Sequence, residues 1–173
     1  MVELLVVIAI IGVLATLLLL QLGGARAKAR DTKRVSDVAQ LRTAIEQYFD
    51  DNCGTYVGGN NCAGVVIASL YDASNPLGPY LGTAMPTDPL DQAQYGYSSA
   101  PAVATRVLRF QIWAELENGS TGLRTDHDIT TTGWTARSTG RMGVLTNGTD
   151  PVTGTCPDNN LAVFDCVFDV GVR

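Results

Sequence analysis

Three groups of side chains have the type and spacing to do chemistry. They are a lone glutamate heading an apolar run, two close pairs of cysteines, and the triplet Asp126-His127-Asp128. Glu3 stands directly before Leu4, at the start of a long uncharged stretch. A carboxylate inside lipid costs about 2.5 kcal/mol or more at a helix centre, so a residue placed this way is a functional candidate by default. A helix N-terminus also favours it through the dipole. The cysteines pair by proximity as Cys53 with Cys62 and Cys156 with Cys166. No Cys-x-x-Cys occurs and His127 is the only histidine, which argues against a structural zinc site. Even-numbered cysteines after a membrane segment point instead to disulfides in an oxidising compartment. Of the three connectivities, the two local ones are expected: Cys53–Cys62 and Cys156–Cys166. Asp126 and Asp128 are weak calcium candidates, because calcium wants six or more oxygens and their surroundings lack regular ligand spacing. His127 has no nucleophile motif to serve, since neither Gly-x-Ser-x-Gly nor a Walker sequence is present. The chain is therefore expected not to be an enzyme, with no catalytic residue, no resident metal and no cofactor. The net charge of −5 gives no global reason to invoke nucleic acid as a partner.

The element that carries Glu3 is the clearest in the sequence. Among the first twenty residues only Glu3, Gly12 and Thr16 are not apolar. The uncharged run from Leu4 to Ala25 covers about 22 residues, enough as a helix to cross a hydrocarbon core of roughly 30 Å. A helix is the structure that satisfies its own backbone hydrogen bonds there. A cleaved signal peptide fits poorly, since no basic residue precedes the run and the run is long for a signal core. From Arg26 to Asp51 neither Gly nor Pro occurs. Val35, Val38, Leu41, Ile45, Tyr48 and Phe49 recur at three- and four-residue steps, which makes one apolar helix face. Arg30, Lys33, Arg34, Asp37, Arg42, Glu46 and Asp50 are assigned to the opposite, solvated face. The spacing thus predicts one helix of about 50 residues, near 75 Å long. Gly12, Gly23 and Gly24 are its expected weak points, each interior glycine costing about 1 kcal/mol relative to alanine. The basic cluster Arg26, Lys28, Arg30, Lys33 and Arg34 would favour a cytoplasmic flank under the positive-inside rule. The paired cysteines favour the outside, and they are given precedence here. The cluster reads first as a solvated face and second as a contact for anionic lipid.

The run Glu3-Leu4-Leu5-Val6-Val7-Ile8-Ala9-Ile10-Ile11-Gly12-Val13-Leu14-Ala15 resembles the N-terminus of class III signal peptide proteins, the type IV pilins and type II secretion pseudopilins. The resemblance continues through Ala27 to Asp31 and Leu41 to Tyr48. It reappears at Tyr80-Leu81, Met85-Pro86-Thr87-Asp88-Pro89 and Tyr95-Gly96-Tyr97. Basic leader, cleavage glycine and the following aromatic residue are absent, so the chain resembles a mature pilin lacking its first residues. The family's frequent proline in the apolar half is also missing, and milder unwinding at Gly12 or Gly23-Gly24 is expected. The resemblance implies that Glu3 attracts the N-terminal amine of a neighbouring subunit during assembly. An opposite charge would offset its desolvation and set one axial stagger. It implies a structural subunit of an extracellular type IV pilus-like filament for adhesion, motility or DNA uptake. The alternatives are a secretion pseudopilin and a single-pass, membrane-anchored binding domain that never polymerises. Implied partners are copies of itself, membrane lipid before assembly, the inner-membrane assembly platform and the prepilin peptidase. Implied localisation is the cytoplasmic membrane and then a cell-surface filament.

The expected architecture is α+β and pilin-like: a long helix packed on a small antiparallel sheet of three to four strands. Residues 1–25 would form the membrane or filament-core half of the helix, and 26–52 its amphipathic half. Residues 53–173 would form the head, with a connecting loop over 53–94 and the sheet and C-terminal disulfide loop over 95–173. Strand alternation begins near Tyr95, and Thr105 to Leu116 is the best strand, closed by Asn118-Gly119. Gly140 to Leu145 and Leu161 to Phe168 are the other candidates. Asn118-Gly119-Ser120 and Asn147-Gly148-Thr149 match the glycosylation acceptor pattern but read as turns.

Overall fold

The computed structural model describes residues 2–82, 84–100, 106–119, 123, 127, 129, 134–139 and 166–172. One helix, α1, runs unbroken from Val2 to Asp51. A short helix α2 covers Gly78–Leu81, and four strands follow: β1 Gly96–Ala100, β2 Arg109–Glu115, β3 Thr135–Thr139 and β4 Val167–Val172. The strands form one sheet in the order β3-β1-β2-β4 with every neighbouring pair antiparallel. The fold is thus α+β, a long helix packed on a small antiparallel sheet.

Helix α1 passes through Gly12, Gly23 and Gly24 without interruption, and a Cβ at any of the three would meet nothing within 4 Å. Its end is built from backbone. The Gly54 amide donates to the Phe49 carbonyl at 3.0 Å, a six-to-one closure with Cys53 in the left-handed region at φ 61°. A side chain other than glycine is disfavoured there by roughly 1–2 kcal/mol. Two features hold it. The Cys53–Cys62 disulfide ties the residue to the following loop. The Arg106 guanidinium donates to the Cys53 and Gly54 carbonyls, both at 3.1 Å.

The outer half of α1 lays Val38, Leu41, Ala44, Ile45 and Tyr48 on the sheet, all buried. They meet Tyr97 of β1, Phe110, Ile112 and Ala114 of β2, and Val170 of β4 in one core. Val35 and Phe49, at the margins of the expected stripe, are half-buried. Alternation along β2 sends Gln111 and Trp113 to the other face, where both are also buried. Gln111 donates there to the Ile129 carbonyl at 2.9 Å, and Trp113 packs with Val167. Both faces of the central strand are therefore covered. Gly96 lies opposite Trp113 in the β1–β2 register, and any Cβ at that position would overlap the indole ring.

The strand boundaries differ from the sequence reading. The strand expected over Thr105 to Leu116 is shorter, because the Val107 amide turns to the Thr55 hydroxyl and the Val107 carbonyl accepts from Tyr56 N–H. These bonds staple the loop after α1 to the entry of β2. Of the strand expected over Leu161 to Phe168, residues 161–165 lie outside the described residues; β4 holds Val167 and Phe168 and runs on to Val172, all six of its residues pairing with β2. Strand β3 at Thr135–Thr139 has too little apolar alternation to stand out, and it forms because β1 offers an edge. Gly140 to Leu145 lies outside the described residues.

Candidate functional site

From Val2 to Leu22, fourteen Val, Leu and Ile side chains of α1 are exposed, among them Val2 at 73% and Leu18 at 72%. The segment projects from the head as a bare helix, long and apolar enough to cross a membrane. Burial of such side chains is worth about 1.5–3 kcal/mol each, so covering this surface would release on the order of 20–40 kcal/mol. That sum exceeds the whole stability of an ordinary domain, about 5–15 kcal/mol. Glu3 is exposed in the first turn and is the only charged residue of the segment before Arg26.

Directly beyond this segment, α1 is locked to the head by charge. Arg34 is 0% exposed. Its Nε and Nη2 donate to the two Asp88 carboxylate oxygens at 2.6 and 3.0 Å, a forked geometry that suits guanidinium and carboxylate. Its Nη1 donates to Asp31 at 2.8 Å and to Glu117 at 2.7 Å. Arg30 grips Glu117 from the next turn through Nε at 2.7 Å and Nη2 at 2.5 Å. Asp31 accepts from the Glu117 and Asn118 backbone amides at 2.8 and 3.0 Å, and from Asn118 Nδ2 at 2.9 Å. Asp37 accepts from the Tyr95 hydroxyl at 2.8 Å and from Lys33 Nζ at 3.1 Å. The network thus joins three places: the first turns of the outer half-helix, the loop around Asp88, and the exit of β2.

The electrostatics agree with the geometry. Burial works against the Arg34 charge, but the hydrogen bonds to Asp88, Glu117 and Asp31 outweigh it and raise its pKa. The Arg30 bond lowers the Glu117 pKa, and Arg34 adds to this against the opposing effect of burial. Burial, then the Asp37 bond, raise the Tyr95 phenol. Tyr71 is pushed up to about 12, chiefly by burial, while it donates to the Pro86 carbonyl at 2.8 Å.

The placement of Arg34 and Asp37 corrects the sequence reading, which put both on the solvated face. Both are buried. The signal was available in part. Arg34 lies four and seven residues before Val38 and Leu41, on the same stripe that faces the sheet. Charge type argues against that position, because a guanidinium is rarely buried unless paired. The partners Asp88 and Glu117 are 54 and 83 residues away.

The Cys53–Cys62 disulfide is formed as expected. Cys166 is disulfide-bonded, while Cys156 lies outside the described residues. Asp126 and Asp128 lie outside them too. His127 is described: its Nδ1 lies 2.7 Å from the Gly171 carbonyl oxygen and 3.1 Å from the Gly171 amide nitrogen. Among the described residues no group of three His, Cys, Asp or Glu is arranged to hold a metal ion. The Asn118 amide, the first of the glycosylation-like sites, is engaged by Asp31. No protein-family model, curated protein or solved structure matches the chain.

Proposed function

We propose that this protein is a structural filament subunit of the type IV pilin kind. It is held in a membrane by the apolar half of α1 before assembly and bundled through the same half afterwards. The observation that carries this reading is the bare segment Val2–Leu22, whose exposed surface is almost wholly apolar and carries one charge, Glu3. A bilayer covers such a surface, and so does a bundle of equivalent helices. The two coverings differ in what they do with Glu3. In a bilayer the carboxylate is left at the edge of the hydrocarbon without a partner of its own segment. In a staggered bundle it meets the N-terminal amine of a neighbouring copy, which offsets its desolvation and selects one register.

The rigid join at Arg34 suits this task. A load passed along the helix reaches the sheet through bonds made within three turns of the apolar segment, instead of through a flexible linker. The subunit carries no catalytic task and takes no cofactor. Its partners are copies of itself, with an inner-membrane assembly platform and a prepilin peptidase acting before polymerisation. The final location is an extracellular filament serving adhesion, motility or DNA uptake, or the shorter pseudopilus of a secretion system.

Substitution of Glu3 tests the proposal. Glu3→Ala should leave the protein in the membrane fraction but deplete filaments sheared from the cell surface, as seen by electron microscopy with the filament protein identified by mass. Undiminished filaments in that variant would refute the role of Glu3. Absence of this chain from any sheared filament of the wild type would refute polymerisation and favour a membrane-anchored domain.

A further inference from the structure

The five cations that follow the apolar segment are not equivalent. Arg30 and Arg34 are neutralised by Glu117, Asp88 and Asp31, and Lys33 by Asp37. Arg26 and Lys28 are exposed, and among the described residues neither forms an ion pair. These two are also the pair nearest the apolar segment, which ends at Ala25. From Glu3 to Arg26 the helix rises about 35 Å, slightly more than a hydrocarbon core of about 30 Å. With the segment in a bilayer, Arg26 and Lys28 stand at the level of the headgroups on the side of the head.

We propose that Arg26 and Lys28 form a lipid-binding site for the phosphates of anionic phospholipid headgroups. The site acts in the membrane stage of the proposed function and rests on that reading. Two residues apart on a helix, the side chains diverge by about 200° around the axis. A protein partner docked on one side would meet one of them. A leaflet surrounds the helix and meets both. The ligand class follows from charge and geometry: guanidinium and ammonium groups held at a fixed depth, beside apolar surface that acyl chains cover, complement a phosphate with two chains attached. The internal pairing of Arg30, Lys33 and Arg34 confines this affinity to the turn at the membrane surface. The head, in a chain of net charge −5, is otherwise not drawn to an anionic surface.

The test uses the full chain reconstituted in phosphatidylcholine vesicles, with and without phosphatidylglycerol. Selectivity is read by electron paramagnetic resonance of spin-labelled phosphatidylglycerol against spin-labelled phosphatidylcholine. The wild type should select the anionic lipid at low salt. Arg26→Gln and Lys28→Gln should each lower the preference by up to about fivefold, the equivalent of about 1 kcal/mol per basic residue at an anionic surface. The double variant should lose it. Lys33→Gln should leave it unchanged, because Asp37 already holds that charge. A wild type without preference would overturn the proposal, as would a Lys33 variant that loses as much as Lys28→Gln. A double variant that keeps its lipid preference yet fails to form filaments would assign these cations to a neighbouring copy's carboxylates and also overturn it. Flotation with pure phosphatidylcholine vesicles separates the two levels: a chain that does not float refutes the membrane reading itself, whereas one that floats without selectivity refutes only this site.

Discussion

Replacing Arg34 by methionine removes the centre of the network that fastens α1 to the head. The substitution keeps an unbranched stem as far as the Nε position and removes the guanidinium that serves Asp88, Asp31 and Glu117 together. The three carboxylates are not equally harmed. Glu117 retains Arg30, and Asp31 retains the Glu117 and Asn118 amides. Asp88, 4% exposed, loses both bonds of the fork and keeps the Leu90 amide at 2.8 Å. Breaking a buried pair from one side costs about 3–5 kcal/mol, because the remaining charge stays buried without compensation. Against a typical stability of about 5–15 kcal/mol this is a large fraction, and it corresponds to a fall in Tm of roughly 10–20 °C. Arg34→Lys keeps the charge but loses the fork, and should cost about 1–3 kcal/mol. Lys33→Gln breaks a half-exposed pair and should cost less than about 1 kcal/mol. The assay is thermal unfolding of the full chain in detergent, followed by near-ultraviolet circular dichroism so that the head is observed and the helix backbone is not. An Arg34→Met protein that melts within a degree or two of the wild type would refute the view that this network fastens the helix to the sheet.

Glu117 and the Cys53–Cys62 bridge offer two more tests. Glu117 binds fewer protons in the folded than in the unfolded state, since its pKa is lowered by Arg30 and Arg34. Its contribution is complete above the unfolded value near 4.3 and is lost as the pH falls through the lower folded value. Stability measured across that acid window should therefore fall with falling pH in the wild type and fall less in Glu117→Gln. Replacing Cys53 and Cys62 together by alanine should cost about 2–3 kcal/mol from restored loop entropy, measured as a shift in the urea midpoint. An unchanged midpoint would show that the Arg106 bonds alone hold the left-handed turn at the end of α1.

How much could be read from the residues differs by region. The periodicity of Val38, Leu41, Ile45 and Tyr48 marked the face that the sheet covers, because a helix repeat is local and does not depend on the partner. The Cys53–Cys62 bridge was equally legible, as the two cysteines are nine positions apart and a short loop brings them together. The strand edges were not. Val107 looks like a strand residue but pairs with Thr55, a choice made by a loop more than fifty residues earlier. Strand β3 carries no alternation of its own and takes its form from the edge of β1.

The long helix, its division at Ala25 into an apolar and an amphipathic half, and the isolation of Glu3 were all legible in the order of residues. All three depend on composition and on a 3.6-residue repeat. Which of the charges after Ala25 face water depends on contacts made between distant segments. Arg26 and Lys28 stay outside, while Arg34 and Asp37 turn inward to Asp88, Glu117 and Tyr95. The reason is physical: burying an ion is favourable only when its counter-ion arrives at the same place. Asp88 and Glu117 arrive from distant segments, once the loop and β2 have folded against the helix.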